Sequence, residues 1–104
     1  MELKFKSTAI RDLDYWKETE NQKILNRIGE LIKSTLETPF DGIGKPEPLR
    51  YNLTGYWSRR INREHRMIYR VQDDEIVIHS LRGHYFDFSE KQQYYKTSIT
   101  LRVS

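Results

Sequence analysis

Tyr56-Trp-Ser-Arg-Arg-Ile61, His65-Arg-Met-Ile-Tyr-Arg-Val71 and Ile76-Val-Ile-His-Ser-Leu81 decide the fold. Each run is rich in β-branched and aromatic residues. Only the polar separators Asn62-Arg-Glu64 and Gln72-Asp-Asp-Glu75 divide them, and connectors that short predict hairpins and an antiparallel meander. Trp57 and Ile61 share one pleat face, and Met67, Tyr69 and Val71 share another set of same-face positions; these are the expected core residues. An odd hairpin loop between the first two runs sets Arg60 opposite Arg66 on one face, whereas an even loop sets Arg60 opposite Met67. Both registers are open to the sequence.

Upstream of the meander the pattern is helical. Leu3 and Phe5 alternate with polar neighbours as a short first strand, and Ser7 or Thr8 is the expected cap of a helix carrying Ile10, Leu13 and Trp16. Asn21 is placed to cap a second helix, in which Ile24, Ile28, Leu31, Ile32 and Leu36 follow the 3.6-residue period. Thr38-Pro39 ends it. Residues 40–55, with three glycines and two prolines, read as a structured loop. The expected fold is α+β in the order βααβββ, with two helices on one face of a mostly antiparallel sheet and the other face open. Downstream, Ile99, Leu101 and Val103 alternate as a terminal strand able to pair with a sheet edge.

With 104 residues the chain is long enough for a single core. It has no apolar run near the ~18 residues of a membrane span and no leader-like opening, so a cytoplasmic protein without a membrane partner is expected. The absence of cysteine excludes disulfides, thiolate metal sites and a cysteine nucleophile.

The charge is unevenly placed. Between Lys45 and Arg70 lie seven basic residues and two acids, a net +5, against +3 for the whole chain, so the remainder sums to −2. Arg59, Arg60, Arg63, Arg66 and Arg70 fall within twelve residues that contain no lysine. Charge runs are often just solvated faces, but the guanidinium fork matches phosphate oxygens bidentately, so this cluster points to nucleic acid. His84 could move a proton near neutral pH; His79, inside a strand, reads as structural, and His65, at a hairpin end, fits either role. Glu47 is held between Pro46 and Pro48 on a stiff segment. Gly42-Ile-Gly44-Lys45 lacks the spacing of a phosphate loop and reads as a turn. No metal-ligand spacing is present, so neither a metal nor another cofactor is expected.

Taken together, Asp14-Tyr-Trp16, Pro39-Phe40, Gly44-Lys-Pro-Glu-Pro-Leu49, Asn52-Leu53, Gly55-Tyr-Trp-Ser-Arg-Arg-Ile61, Glu64-His-Arg66 and Gly83-His-Tyr85 resemble the YoeB/Txe family of bacterial toxins, within the RelE-like superfamily. The resemblance covers residues 1–85 and leaves 86–104 as a C-terminal extension of unassigned role; family members commonly stop at or just after the His-Tyr pair. It implies a ribosome-associated endoribonuclease that cuts messenger RNA, contacts ribosomal RNA and is neutralised by a YefM/Axe-like antitoxin; a homodimer is also compatible. The family's functional carboxylate falls on Glu47 and its histidine and tyrosine on His84 and Tyr85. Its basic positions fall on Arg50, where lysine is common, and on Arg60 and Arg66.

RNA brings its own nucleophile, the 2′-OH. A metal-free mechanism needs a base, assigned here to Glu47, and an acid, assigned to His84, although the sequence leaves the two roles exchangeable. Arg66, Arg60 and Arg50 would stabilise charge at the phosphorus, and Tyr85 would position the phosphate or stack on a base. Arg59 and Arg63 are expected as additional phosphate contacts. The alternatives are a non-catalytic basic nucleic-acid-binding module and a protein that only binds an acidic partner.

Overall fold

A computed structural model of the chain describes residues 1–83 and the backbone of residues 98–102. The elements run β1 (Glu2–Lys6), α1 (Ser7–Glu18), α2 (Gln22–Glu37), β2 (Glu47–Pro48), a 3-10 turn (Tyr51–Leu53), β3 (Trp57–Arg60), β4 (Arg66–Gln72), β5 (Glu75–Gly83) and β6 (Ser98–Arg102). They form one sheet in the order β2-β3-β4-β5-β1-β6. All neighbours are antiparallel except β1 and β5, which are parallel, with Leu3 opposite Ile76 and Phe5 opposite Ile78. The parallel pair follows from the two helices, which carry the chain back to the starting end of the sheet before the meander begins.

The core lies between the helices and one sheet face. Leu3, Phe5, Ile76, Ile78, Met67 and Tyr69 meet Ile24, Ile28, Leu31 and Trp16, with Trp57 and Val71 packed at the margin. Each fully buried Leu or Ile contributes about 1.5–3 kcal/mol, so this layer carries most of the apolar driving force. Asn21 caps α2 as expected, its side-chain oxygen accepting from the Ile24 N–H at 3.2 Å. The expected cap of α1 is corrected: β1 runs straight into the helix with Lys6 at the cap position and no side-chain cap bond. Thr8 instead donates to the carbonyl of His79 at 2.8 Å, tying the start of α1 to β5.

The hairpin register is the odd one, because the loop between β3 and β4 spans residues 61–65 and sets Arg60 opposite Arg66. Asn62 organises that loop by accepting from the N–H groups of Glu64 and His65. The β4–β5 connection is tighter than its four polar residues suggest: Gln72 pairs with Glu75, and Asp73 and Asp74 both adopt positive φ, at 49° and 62°. Such a two-residue turn matches the twist of the strands it joins.

The second sheet face is not fully open. The segment after β2 folds over it, and Leu49, Leu53 and Ile68 form a small second buried cluster with Tyr56 against it. A turn-rich loop hides that cluster from pattern reading, since its apolar residues follow no period. The alternating terminal segment does pair with a sheet edge: β6 lies antiparallel on β1, with Phe5 opposite Ile99 and Leu3 opposite Leu101.

Candidate active site

Directly opposed residues in an antiparallel ladder point to the same side. Glu47 opposes Ser58, and Ser58 opposes Ile68. Arg60 lies two residues beyond Ser58 and Arg66 two before Ile68, so Glu47, Arg60 and Arg66 share the face away from the helices. Glu47 and Arg60 are exposed and Arg66 is half-buried. Nη1 of Arg66 donates to the carbonyls of Asn62, Arg63 and His65 at 3.1–3.4 Å, which fixes the guanidinium at the hairpin end of β4. These are long contacts to neutral acceptors, weaker than the charge-assisted bonds a guanidinium makes to a phosphate.

Arg66 also opposes Gly83, the last residue of β5. A Cβ at Gly83 would lie 2.7 Å from Ile68 Cγ1 and 2.8 Å from Ser80 Oγ, so only glycine allows this approach. Register shifts in β5 near Ser80 accompany it. They are held from α1: the Asp12 carboxylate accepts from the N–H groups of Leu81 at 2.9 Å and Arg82 at 3.2 Å, and Trp16 Nε1 donates to the Leu81 carbonyl at 3.0 Å. Arg82 lies over the Tyr15 ring, 3.6 Å from its centroid. Asp12 and Trp16 thus position the end of β5, a role with no local sequence signal. His84 and Tyr85 lie outside the described residues.

Arg50 is exposed at the start of the 3-10 turn, and Arg63 is exposed in the β3–β4 loop. Arg59 is a correction. It is 0% exposed and lies on the helix-facing side between Trp57 and Ile61, where no phosphate can reach it. All five of its N–H donors are used: Nε to Tyr69 Oη (3.1 Å), Nη1 to Ser34 Oγ and the Ile43 carbonyl (both 3.0 Å), and Nη2 to the carbonyls of Thr38 and Asp41 (both 2.7 Å). Tyr69 Oη in turn donates to the Pro39 carbonyl at 2.7 Å, and burial raises its pKa, keeping the donor proton in place. Arg59 therefore clamps the loop that delivers Glu47. Gly44 completes the clamp: its carbonyl accepts from Arg60 N–H at 2.7 Å, and its φ of +83° with Leu31 beneath it requires glycine.

His79 is structural in the sense expected, packed edge-to-face with Tyr56 at 4.8 Å between ring centroids. Burial, then the charges of Lys6 and Arg70, push its pKa down to about 3. The folded imidazole is therefore neutral where the unfolded one, titrating near 6.5, takes up a proton. Stability present above pH 6.5 should fall as pH drops towards 3. Asp12 works the other way, because burial raises its pKa and the folded state takes up that proton at a higher pH than the unfolded chain does. Urea midpoints measured from pH 7 to 4.5 should fall for the native chain and stay nearly level for His79→Gln; parallel curves would contradict the assignment.

Among the described residues no three His, Asp or Glu side chains converge as metal ligands, and no helix is long and apolar enough to cross a membrane. A cavity of about 680 Å³ between α2 and the β3–β4 loop, lined by Ile24, Arg27, Ile61 and Asn62, contains none of Glu47, Arg60 or Arg66.

Residues 5–85 match the family described as YoeB-like toxin of bacterial type II toxin-antitoxin system. Toxin YoeB of Escherichia coli K12 is 51% identical over 85 residues, 82% of this chain and all of the relative. Among solved structures, a YoeB/ParE toxin from Agrobacterium tumefaciens superposes with a TM-score of 0.78 at 39% identity, over 82% of this chain and all of that one. YoeB in a heterotetrameric YoeB-YefM toxin-antitoxin complex from Staphylococcus aureus gives 0.73 at 45% identity, over 80% and 95% of the two chains. The chain belongs to the YoeB-like toxins of bacterial type II toxin–antitoxin systems.

Proposed function

We propose that this toxin is a ribosome-associated endoribonuclease that cuts messenger RNA by attack of the 2′-OH on the adjacent phosphate. The observation that carries the reading is the shared placement of Glu47, Arg60 and Arg66 on one sheet face, with Arg66 opposite the residue that precedes His84. Glu47 takes the 2′-OH proton, and the O2′–P bond forms as the P–O5′ bond breaks. His84 gives its proton to the departing O5′, leaving a 2′,3′-cyclic phosphate and a 5′-hydroxyl. Arg66, with Arg60 and Arg50, stabilises the charge that develops on the non-bridging oxygens. Tyr85 orients the phosphate, and Arg63, at the rim, assists encounter with RNA.

The arginines supply the cationic charge, so the reaction needs no divalent ion at the phosphorus. Cleavage of a message on ribosomes should persist when transition ions are chelated at a magnesium level that keeps the ribosome intact. Loss of cutting restored by one particular divalent ion would contradict it.

The partner is a YefM-like antitoxin, a reading supported by the YoeB-YefM complex of the staphylococcal relative, and the net positive charge of the Arg60–Arg66 face suits an acidic antitoxin segment as its cover. Residues 1–85 form the working unit and 86–104 an extension. A chain ended after Phe86 should stay folded and cut RNA at a comparable rate, while self-associating more readily because β1 becomes a bare edge. Unfolding or loss of cutting on truncation would place the extension within the core or the site.

A further inference from the structure

The 3-10 turn that folds over the second sheet face presents an aromatic ring to solvent. Tyr51 is 87% exposed, and its φ is +57°. Among the described residues five non-glycine positions take positive φ, and Tyr51 is the aromatic one. That backbone disfavours a bulky side chain and suits glycine or asparagine. The turn enforces it: the Tyr51 carbonyl accepts from the Thr54 N–H at 3.1 Å and from Thr54 Oγ1 at 2.6 Å, and the Leu53 N–H donates to the Arg50 carbonyl at 3.0 Å. Leu49 and Leu53, on either side, are buried against Ile68, which lies in the same cross-strand row as Ser58 and Glu47. A ring that buries little surface, on a backbone fixed in a costly conformation, adds nothing to the stability of the fold.

We propose that Tyr51 is a platform on which a base of single-stranded RNA stacks beside the point of cleavage, with the adjoining phosphate on Arg50. The inference rests on the RNA reading of this face. Arg50 is exposed, and the ion pairs among the described residues, Lys4–Glu75 and Arg27–Glu30, leave it without a carboxylate partner. A cation next to an open π-face matches one nucleotide unit, phosphate and base together. Tyr51 is four residues on from Glu47, so their Cα atoms lie within about 14 Å of each other even at full extension. The stacked base therefore belongs to a nucleotide close to the scissile phosphate. A protein partner would need an apolar patch, whereas the residues exposed around Tyr51 are Arg50, Asn52, Thr54 and Gly55. The fixed turn holds the ring in place before RNA arrives, so little ordering cost is left for binding.

The test is equilibrium binding of a 2′-O-methyl oligoribonucleotide, which cannot undergo 2′-OH attack, so binding is read apart from cleavage. Tyr51→Asn, which accepts the positive φ but has no ring, should weaken binding about tenfold, within the range for one lost base stack. It should leave the log–log salt slope unchanged, whereas Arg50→Gln makes that slope shallower by about 0.7. Tyr51→Phe should bind as the native chain does. An oligomer of abasic residues should bind the native and Tyr51→Asn chains alike. The urea midpoint of Tyr51→Asn should equal or exceed the native one, because backbone strain is relieved, so lost binding is not lost fold. Native affinity in Tyr51→Asn would overturn the platform, and a lowered midpoint would make Tyr51 a structural residue instead. An equal loss in Tyr51→Phe would assign the hydroxyl rather than the ring, and a loss seen only towards the antitoxin would assign the ring to that interface; either overturns the proposal. A native chain that binds no oligomer would overturn the RNA reading itself.

Discussion

Arg66→Ala should lower the single-turnover rate of message cleavage by about 10²–10³-fold while changing ribosome affinity little. The guanidinium is held at the hairpin end of β4 by three backbone carbonyls, so it is in place before the substrate arrives and pays no reorganisation cost as charge develops. Glu47→Ala should fall by a comparable factor, about 10²–10⁴, because removing a positioned base acts on the proton-transfer step. Arg63→Ala should do the reverse of Arg66→Ala, weakening encounter and its salt dependence with the cleavage step intact, since it is exposed in the loop. Equal losses of binding alone for Arg66→Ala and Arg63→Ala would favour a non-catalytic nucleic-acid-binding module.

Arg59→Ala should destabilise the fold by about 3–5 kcal/mol, a large share of the roughly 5–15 kcal/mol of a typical domain. The truncation leaves a cavity, removes the donor of the Ile43 carbonyl, and removes one of two donors from each of the Thr38 and Asp41 carbonyls, which keep Asp41 N–H and Thr38 Oγ1. A buried acceptor left without a donor costs about 1–3 kcal/mol. Arg59→Lys cannot rescue it, having three donors where five are used. Denaturant unfolding measures the change, and a loss under about 1 kcal/mol would contradict the clamp. Cleavage by any folded fraction should also be impaired, because the loop that Arg59 holds delivers Glu47.

The meander and the helices were legible because each rests on local periodicity and short polar separators. The face shared by Arg60 and Arg66 was one of two registers left open, and Glu47 was marked only by its flanking prolines and the resemblance. Five residues between Arg60 and Arg66 keep the arginines on one face, and counting them requires knowing where the strands end. Arg59 carried a readable signal that charge obscured. It has the same parity as Trp57 and Ile61, both expected in the core, so an arginine there must point inward. Its five acceptors come from residues 34–43 and from Tyr69, a convergence that no local pattern encodes. The same holds for Asp12 and Trp16, whose partners are nearly seventy positions away. His84 and Tyr85 rest on the resemblance, since they lie outside the described residues.

The central claim is that the RNA supplies the nucleophile. The most direct measurement uses a ribosome-bound message carrying a single 2′-deoxynucleotide on the 5′ side of the scissile phosphate. The native toxin should leave this message uncut there, while cutting the all-ribose control to a 2′,3′-cyclic phosphate and a 5′-hydroxyl. Cleavage of the deoxy message at the control rate would contradict it.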